Sequence, residues 1–257
     1  MTSTGLRALL LDLDDTLIDN PVRTFIPAYF KALEVFVADT VPPDRFIAEL
    51  LAATRTMDCN DGTGPANEEV FAAAFYPALG VPRSELEPLL ERFYREAYPS
   101  LQAMIAPRPA APKIVEWAGQ LGLQVVIATN PLFPRTAIEQ RMQWGGVGVD
   151  RFDYDLVTAY ENCRATKSHE AYYRDIVAFL GRCPEECLMV GDNWDCDIAC
   201  AARTGIRGYW IAAADACPDS PGVEVVGQGS LDAFLQAAEN GDLESAFEHS
   251  LARRVAL

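Results

Sequence analysis

The chain has 257 residues, 50% of them apolar and 23% charged, enough for one or two folded domains with a sizeable core. Its formal net charge of -16 repels phosphate backbones and anionic membrane surfaces, which argues against nucleic acid and membrane as partners. No run approaches the roughly 20 apolar residues of a membrane span, and the opening MTSTGLRALLLDLDDTL lacks signal-peptide architecture, so a cytoplasmic protein with free thiols at its seven cysteines is expected.

In chain order, the first element is a short apolar run at 8–12, ALLLD, which reads as a strand covered on both faces. It ends in Asp12-Leu13-Asp14, and alternation along an extended strand aims both carboxylates the same way. Two acids that close repel unless a cation or proton separates them. A turn rich in aspartate that caps a helix is the competing explanation for this segment alone. From about 21 to 107 no strand is predicted. Amphipathic helices are expected at 23–38, 43–57, 67–79 and 83–98, punctuated by Pro42-Pro43 and Gly80-Val81-Pro82. The polar loop 58–66, DCNDGTGPA, joins two of them.

Strands return at 124–129 (QVVIAT), 155–159 (DLVTA), 187–191 (CLMVG), 208–212 (GYWIA) and 223–226 (VEVV), with helices predicted at 134–144 and 169–180. Strand, helix, strand in series implies a parallel sheet with right-handed crossovers. The run 124–129 leads into Thr129-Asn130, a hydroxyl and an amide able to donate hydrogen bonds to an anion. Lys167, one of only three lysines, precedes the helix at 169–180. The run 187–191 ends in Asp192-Asn193-Trp194-Asp195-Cys196-Asp197, an acidic loop that opens a helix. Parallel strands bring Asp12, Asp14 and Asp192 to one sheet edge, the edge where open parallel sheets place their sites. An all-oxygen cluster there fits a hard divalent cation, magnesium when phosphate is the substrate. Cys183, Cys187, Cys196 and Cys200 form two C-x3-C pairs, but their positions on a strand and a helix suit core thiols better than zinc ligands. The tail reads as a helix, LDAFLQAAE, followed by a polar, weakly periodic end.

Taken together, DLDDT, Thr129-Asn130, Lys167 and GDNWDCD resemble, in that order, the four motifs of the haloacid dehalogenase-like superfamily. The resemblance extends to about residue 215. It implies an α/β fold, a Rossmann-like three-layer domain at 1–20 and 107–257, with an all-helical cap domain inserted at 21–106. The gap from Thr129 to Lys167 is too short for the alternative, larger cap between the second and third motifs. One departure is that Ser168 and Glu170 stand where the family's third motif often has prolines.

Residue by residue, the resemblance implies that Asp12 attacks phosphorus and that Asp14 protonates the leaving group and then activates water. Thr129, Asn130 and Lys167 bind the phosphate. Asp12, the Asp14 carbonyl and Asp192 hold Mg2+, with Asp197 supporting the metal from behind. The implied activity is hydrolysis of a small phosphorylated metabolite. A phosphomutase and a catalytically inactive binding protein on the same fold are the alternatives, whereas dehalogenation needs neither metal nor Asp14. In the cap, Arg55, Asn60 and Asp61 are the expected contacts to the substrate beyond its phosphate.

Overall fold

The structure, a computed structural model, describes residues 5–218, 222–243 and 245–247. Strand β1 (Ala8–Leu11) is buried at every position. The chain then turns sharply, with the N–H groups of Thr16, Leu17 and Ile18 all donating to the Leu13 carbonyl. Asp15 adopts φ 58° in this turn, a left-handed conformation that aspartate tolerates better than most side chains. Strand β2 (Ile18–Asp19) pairs antiparallel with β3 (Ala106–Pro107), so the outgoing and returning chains meet as a two-stranded ribbon. Strands of two residues carry no periodicity, which is why the sequence reading finds none before the second apolar run.

Between β2 and β3 run α1 (Val22–Val37), α2 (Pro43–Asp58), α3 (Asn67–Leu79) and α4 (Arg83–Glu96), then a 3-10 segment, Tyr98–Met104. These helices lie where apolar spacing and the proline breaks predict them. Each begins directly after a proline or alanine with no side-chain cap, so packing rather than capping holds them. Phe25, Tyr29, Phe93 and Tyr98 gather on their inner side, with Tyr29 and Tyr98 ring centroids 6.0 Å apart at 87°.

The chain continues through α5 (Ala110–Gln120), β4 (Gln124–Ile127), α6 (Arg135–Trp144), β5 (Leu156–Val157) and α7 (Glu170–Leu180). It then forms β6 (Cys187–Gly191), a π-helical turn Trp194–Ala199, α8 (Cys200–Arg203), β7 (Arg207–Ile211), β8 (Gly227–Gly229) and α9 (Leu231–Glu239). Six strands form one parallel sheet in the order β5-β4-β1-β6-β7-β8. Leu9, Leu11, Val125, Ile127, Leu188 and Val190 face one side, covered by α5, α6 and α9. Ala8, Leu10, Val126, Ala128 and Met189 face the other, covered by α7 and α8. The first core continues without a break into the helical segment, where the Tyr98 and Trp144 rings lie 5.3 Å apart.

The last strand corrects one expectation. The strand beside β7 is Gly227–Gly229 rather than the apolar run 223–226, of which Val226 alone reaches β7, its N–H donating to Gly208 O at 2.8 Å. A Cβ on Gly227 would meet the Tyr209 ring at 2.6 Å, so glycine lets the backbone approach there and apolarity is not the deciding property. The helix α5 also lacks a counterpart among the elements expected from the sequence. Most of the polar end after α9 lies outside the described residues. All seven cysteines are free thiols. Among the described residues, no helix is long and apolar enough to cross a membrane.

Candidate active site

Strand register assembles the site. Leu11 of β1 stands opposite Ile127 of β4 and Val190 of β6, so the next residues of three adjacent strands emerge together at the carboxyl edge. The ladder continues one step further, with Asp12 N–H donating to Val190 O at 2.9 Å and Ala128 N–H to Leu11 O at 2.7 Å. Asp12 therefore sits between the Thr129-Asn130 turn and Asp192.

Asp12 is nearly buried, with its side chain 9% exposed. Lys167 Nζ lies 2.5 Å from Asp12 Oδ1 and 2.6 Å from Asp197 Oδ1, bridging two loops. Asp12, Asp192 and Asp197 each bring a carboxylate oxygen within 4.8 Å of the others. The other oxygen of Asp197 accepts the Asn193 N–H at 3.0 Å. Both oxygens of Asp197 are thus engaged, so its geometry braces Lys167 and the β6 loop. Gly191 makes this possible, because a Cβ there would lie 2.2 Å from Asp197 Oδ2. Asp192 accepts a bond from Thr16 Oγ1 at 3.4 Å, and its carbonyl accepts from Trp210 Nε1 at 2.8 Å.

Burial dominates the electrostatics. It lifts the Asp12 carboxyl to about 7, helped by Asp197 and Asp14 and opposed by Lys167. It lifts Asp192 to about 6, with Asp12 and Asp15 adding to the rise. Asp197 moves in the same direction for the same first reason, against the pull of Lys167. Burial presses the Lys167 ammonium down, but Asp12 and Asp197 outweigh it and hold it above the usual range. The pocket therefore carries more carboxylate than one lysine neutralises.

The turn that presents Lys167 is fixed without the family's prolines. Ser168 Oγ lies 2.8 Å from Thr166 Oγ1, and Lys167 N–H donates to Asn130 Oδ1 at 3.3 Å. Thr129 is 2% exposed, and its carbonyl accepts bonds from Thr158 Oγ1 at 2.8 Å and Tyr172 OH at 2.9 Å. These bonds hold the second and third motif segments side by side.

Asp14 faces a different set of groups. Asn20 Nδ2 donates to Asp14 Oδ1 at 2.6 Å, and Arg141 Nη1 lies 3.5 Å from Asp14 Oδ2. Arg141 is 2% exposed and its guanidinium stands 4.6 Å from the Phe133 ring centroid. Among the described residues, Asn20 Oδ1, Tyr98 OH and Arg141 Nε are buried with no hydrogen-bond partner. Two of these three belong to the residues that contact Asp14, so polar capacity is left unspent beside it. Neither Asn20 nor Arg141 is among the residues read from the sequence. A signal existed for Arg141, since an arginine sits on the buried stripe Ala137, Ile138, Met142 of α6.

The remaining expected contacts lie elsewhere. Arg55 is exposed in the last turn of α2. Asn60 is buried, and its Nδ2 donates to Pro65 O at 3.0 Å and to Asn67 Oδ1 at 2.8 Å. Asp61 Oδ1 accepts from Thr63 N–H and Oγ1, and its backbone bridges to Ala165. Asn67 Nδ2 in turn donates to Ala165 O at 3.2 Å, and Thr166 Oγ1 donates to Asp58 O at 3.3 Å. The 58–66 loop is a strap that ties the helical segment to the turn that carries Lys167 through Asp58 O and the Asp61 backbone, with the Asn60 amide bonded inward, while the Asp61 carboxylate stays exposed and, among the described residues, bonds only Thr63 of the same loop.

The family described as haloacid dehalogenase-like hydrolase matches residues 6–205. A phosphoserine phosphatase from Thermus thermophilus is 31% identical over 153 residues, 58% of this chain and 55% of that protein. The chain thus spans about half the length of that relative. Among solved structures, a HAD phosphatase from Thermococcus onnurineus is similar with TM-score 0.56 and 19% identity, covering 90% of this chain and 97% of its own. A 2-haloacid dehalogenase from Pseudomonas syringae pv. tomato gives TM-score 0.64 and 17% identity, covering 91% and 99%. At such identities the likeness concerns the fold alone.

Proposed function

The chain belongs to the haloacid dehalogenase-like hydrolases, and on that premise we propose that it is a magnesium-dependent phosphatase acting on a small phosphorylated metabolite through a phosphorylated Asp12. The observation that carries this reading is the buried Asp12 with Lys167 at 2.5 Å, inside a group of three carboxylates. The name of the Thermus relative supports phosphate ester hydrolysis, and the presence of Asp14 favours it over dehalogenation. Seven free thiols suit a reducing compartment, and we place the protein in the cytosol.

The donor set fits a small hard cation. It is all oxygen, it is excess in negative charge, and burial makes its carboxyls costly to ionise without a counter-charge. Asp12, Asp192 and the Asp14 carbonyl would hold Mg2+, with Asp197 bracing the site. A magnesium ion bound there supplies charge neutralisation on the oxygens of the transferring phosphoryl group.

The protein's own groups do the rest. An Asp12 oxygen attacks phosphorus while Asp14 gives a proton to the departing alcohol oxygen, leaving an aspartyl-phosphate. Asp14 then takes a proton from water, which attacks that phosphorus, releases inorganic phosphate and regenerates Asp12. The Lys167 ammonium balances the charge of Asp12 and of the arriving phosphate. Thr129 and Asn130 meet the phosphoryl oxygens from the β4 edge. The helical segment acts as the cap that excludes bulk water during the first step.

The test is phosphate release from simple monoesters with Mg2+, with and without EDTA. Chelation should abolish turnover and added magnesium restore it. Full activity in metal-free buffer would sink this reading and revive dehalogenation. Isomerised product in place of free phosphate would point to a phosphomutase.

A further inference from the structure

Packing alone does not account for one buried charge. Arg141 lies on the inward stripe of α6 with Ala137, Ile138 and Met142, and is 2% exposed. A guanidinium keeps its charge when buried, a cost that an apolar side chain of similar volume avoids. Its surroundings are chiefly rings: the Phe133 centroid lies 4.6 Å and the Phe25 centroid 5.8 Å from the guanidinium carbon. Among the described residues its one ion-pair partner is Asp14, at 3.5 Å, and its Nε has no hydrogen-bond partner. The side chain is therefore not placed to satisfy its own donors.

Asp14 is held from two directions. Asn20, 1% exposed, donates from Nδ2 to Asp14 Oδ1 at 2.6 Å, and its own N–H donates to Asp15 Oδ1 at 3.2 Å. Asn20 stands where the chain passes from β2 into α1, whereas Arg141 comes from the core helix α6. The two contacts fall on different oxygens, Oδ1 for Asn20 and Oδ2 for Arg141. At 3.5 Å Arg141 attracts Oδ2 by charge without engaging it in a full hydrogen bond, so that oxygen keeps room for a proton. The Asp14 side chain stays 22% exposed although both residues that hold it are buried. Such a pair adds little to stability, but it narrows the orientations open to the accessible carboxyl.

Resting on the phosphatase reading, in which Asp14 gives its proton to the alcohol oxygen as the bond from that oxygen to phosphorus breaks and the bond from Asp12 forms, we propose that Arg141 and Asn20 are positioning residues that aim the Asp14 carboxyl at the departing oxygen. Proton transfer requires the carboxyl within hydrogen-bond reach of that oxygen, and a misplacement of about 1 Å costs roughly 100-fold in rate. Without either residue Asp14 remains in the chain but is free to turn.

The test compares ethyl phosphate, whose alkoxide must be protonated to leave, with p-nitrophenyl phosphate, whose phenolate leaves unaided. The ratio kcat/KM reports the steps up to that departure. Arg141→Met, which replaces the charge by an unbranched apolar chain, and Asn20→Ala should each lower kcat/KM for ethyl phosphate by about 30-fold or more, and for p-nitrophenyl phosphate by less than about threefold. On the second ester their kcat and KM should fall together, because Asp14 must still direct water at the aspartyl-phosphate. Arg141→Lys, which keeps the charge, should regain about fivefold or more of the loss on ethyl phosphate. Added to Asp14→Asn, Arg141→Met should change ethyl phosphate turnover by less than about twofold, since its effect runs through Asp14.

Should Arg141→Met fail to fold, Arg141→Lys and Asn20→Ala carry the same comparison, with circular dichroism reporting the fold. Equal losses on the two esters in folded variants, or a further loss of about tenfold when Arg141→Met joins Asp14→Asn, would overturn the proposal. The phosphatase reading survives that result as long as Asp14→Asn itself loses ethyl phosphate selectively. An Asp14→Asn variant that loses both esters equally would instead overturn the acid role on which the proposal rests, and a wild type that hydrolyses neither ester would overturn the phosphatase reading.

Discussion

Asp192→Asn tests whether the site is built for a cation it must neutralise. Burial and the neighbouring Asp12 hold the Asp192 carboxyl at about 6 against an ordinary 3.8. The sign follows from proton counting. The folded state keeps a proton on this group where the unfolded chain has lost it, so stability falls as pH rises from about 4 to about 6 and stays lowered above. A shift of that size is worth about 3 kcal/mol, and partial access to water reduces it to roughly 1–2 kcal/mol. Asparagine has the same shape and no charge, so in EDTA at pH 7.5 the variant should melt above the wild type. For a chain of this length the rise is about 2–8 °C. Magnesium reverses the ranking: 10 mM should stabilise the wild type by mass action and leave the variant nearly unmoved. The assay is differential scanning calorimetry at pH 5 and 7.5, with and without magnesium. A variant that melts lower than wild type in EDTA and still gains stability from magnesium would refute both the strain and the ligand assignment.

Asp12→Asn should lower turnover by at least about a thousandfold with the fold retained, and beryllofluoride should mark Asp12 in the wild type; wild-type turnover in the variant would show that water attacks phosphorus directly. Asp14→Asn should impair ethyl phosphate far more than p-nitrophenyl phosphate, whose leaving group needs little protonation, and equal losses measured by steady-state kinetics would count against the acid role. Asn67→Ala removes the buried amide that joins the 58–66 strap to Ala165 and should cost about 1–3 kcal/mol in urea unfolding; an unchanged midpoint would show that the strap contributes nothing.

Much of the fold and the position of Asp12 is written locally. The strand at 8–11 is a run of four buried apolar residues, and the two aspartates that end it follow from simple adjacency in sequence. The four helices between β2 and β3 are legible because apolar spacing and prolines act over a few residues each. The alternation of strands and helices then dictates a parallel sheet, and a parallel sheet brings the ends of β1, β4 and β6 to one edge. Tertiary structure alone decided the rest, because it depends on groups far apart in the chain and on burial. Lys167 meets Asp197 across 30 positions and Asn67 meets Ala165 across 98, and no periodicity encodes such pairs. In the sequence the loop at 58–66 offers Asn60 as a free polar group, yet its amide is buried against Pro65 and Asn67, and Asn67 in turn bonds Ala165 of the core. Arg141 reads as one more basic residue on a helix until α6 packs its stripe inward beside Asp14. The raised proton affinities of Asp12 and Asp192 exist only once water is excluded from them, since the same carboxyls in an unfolded chain are ordinary.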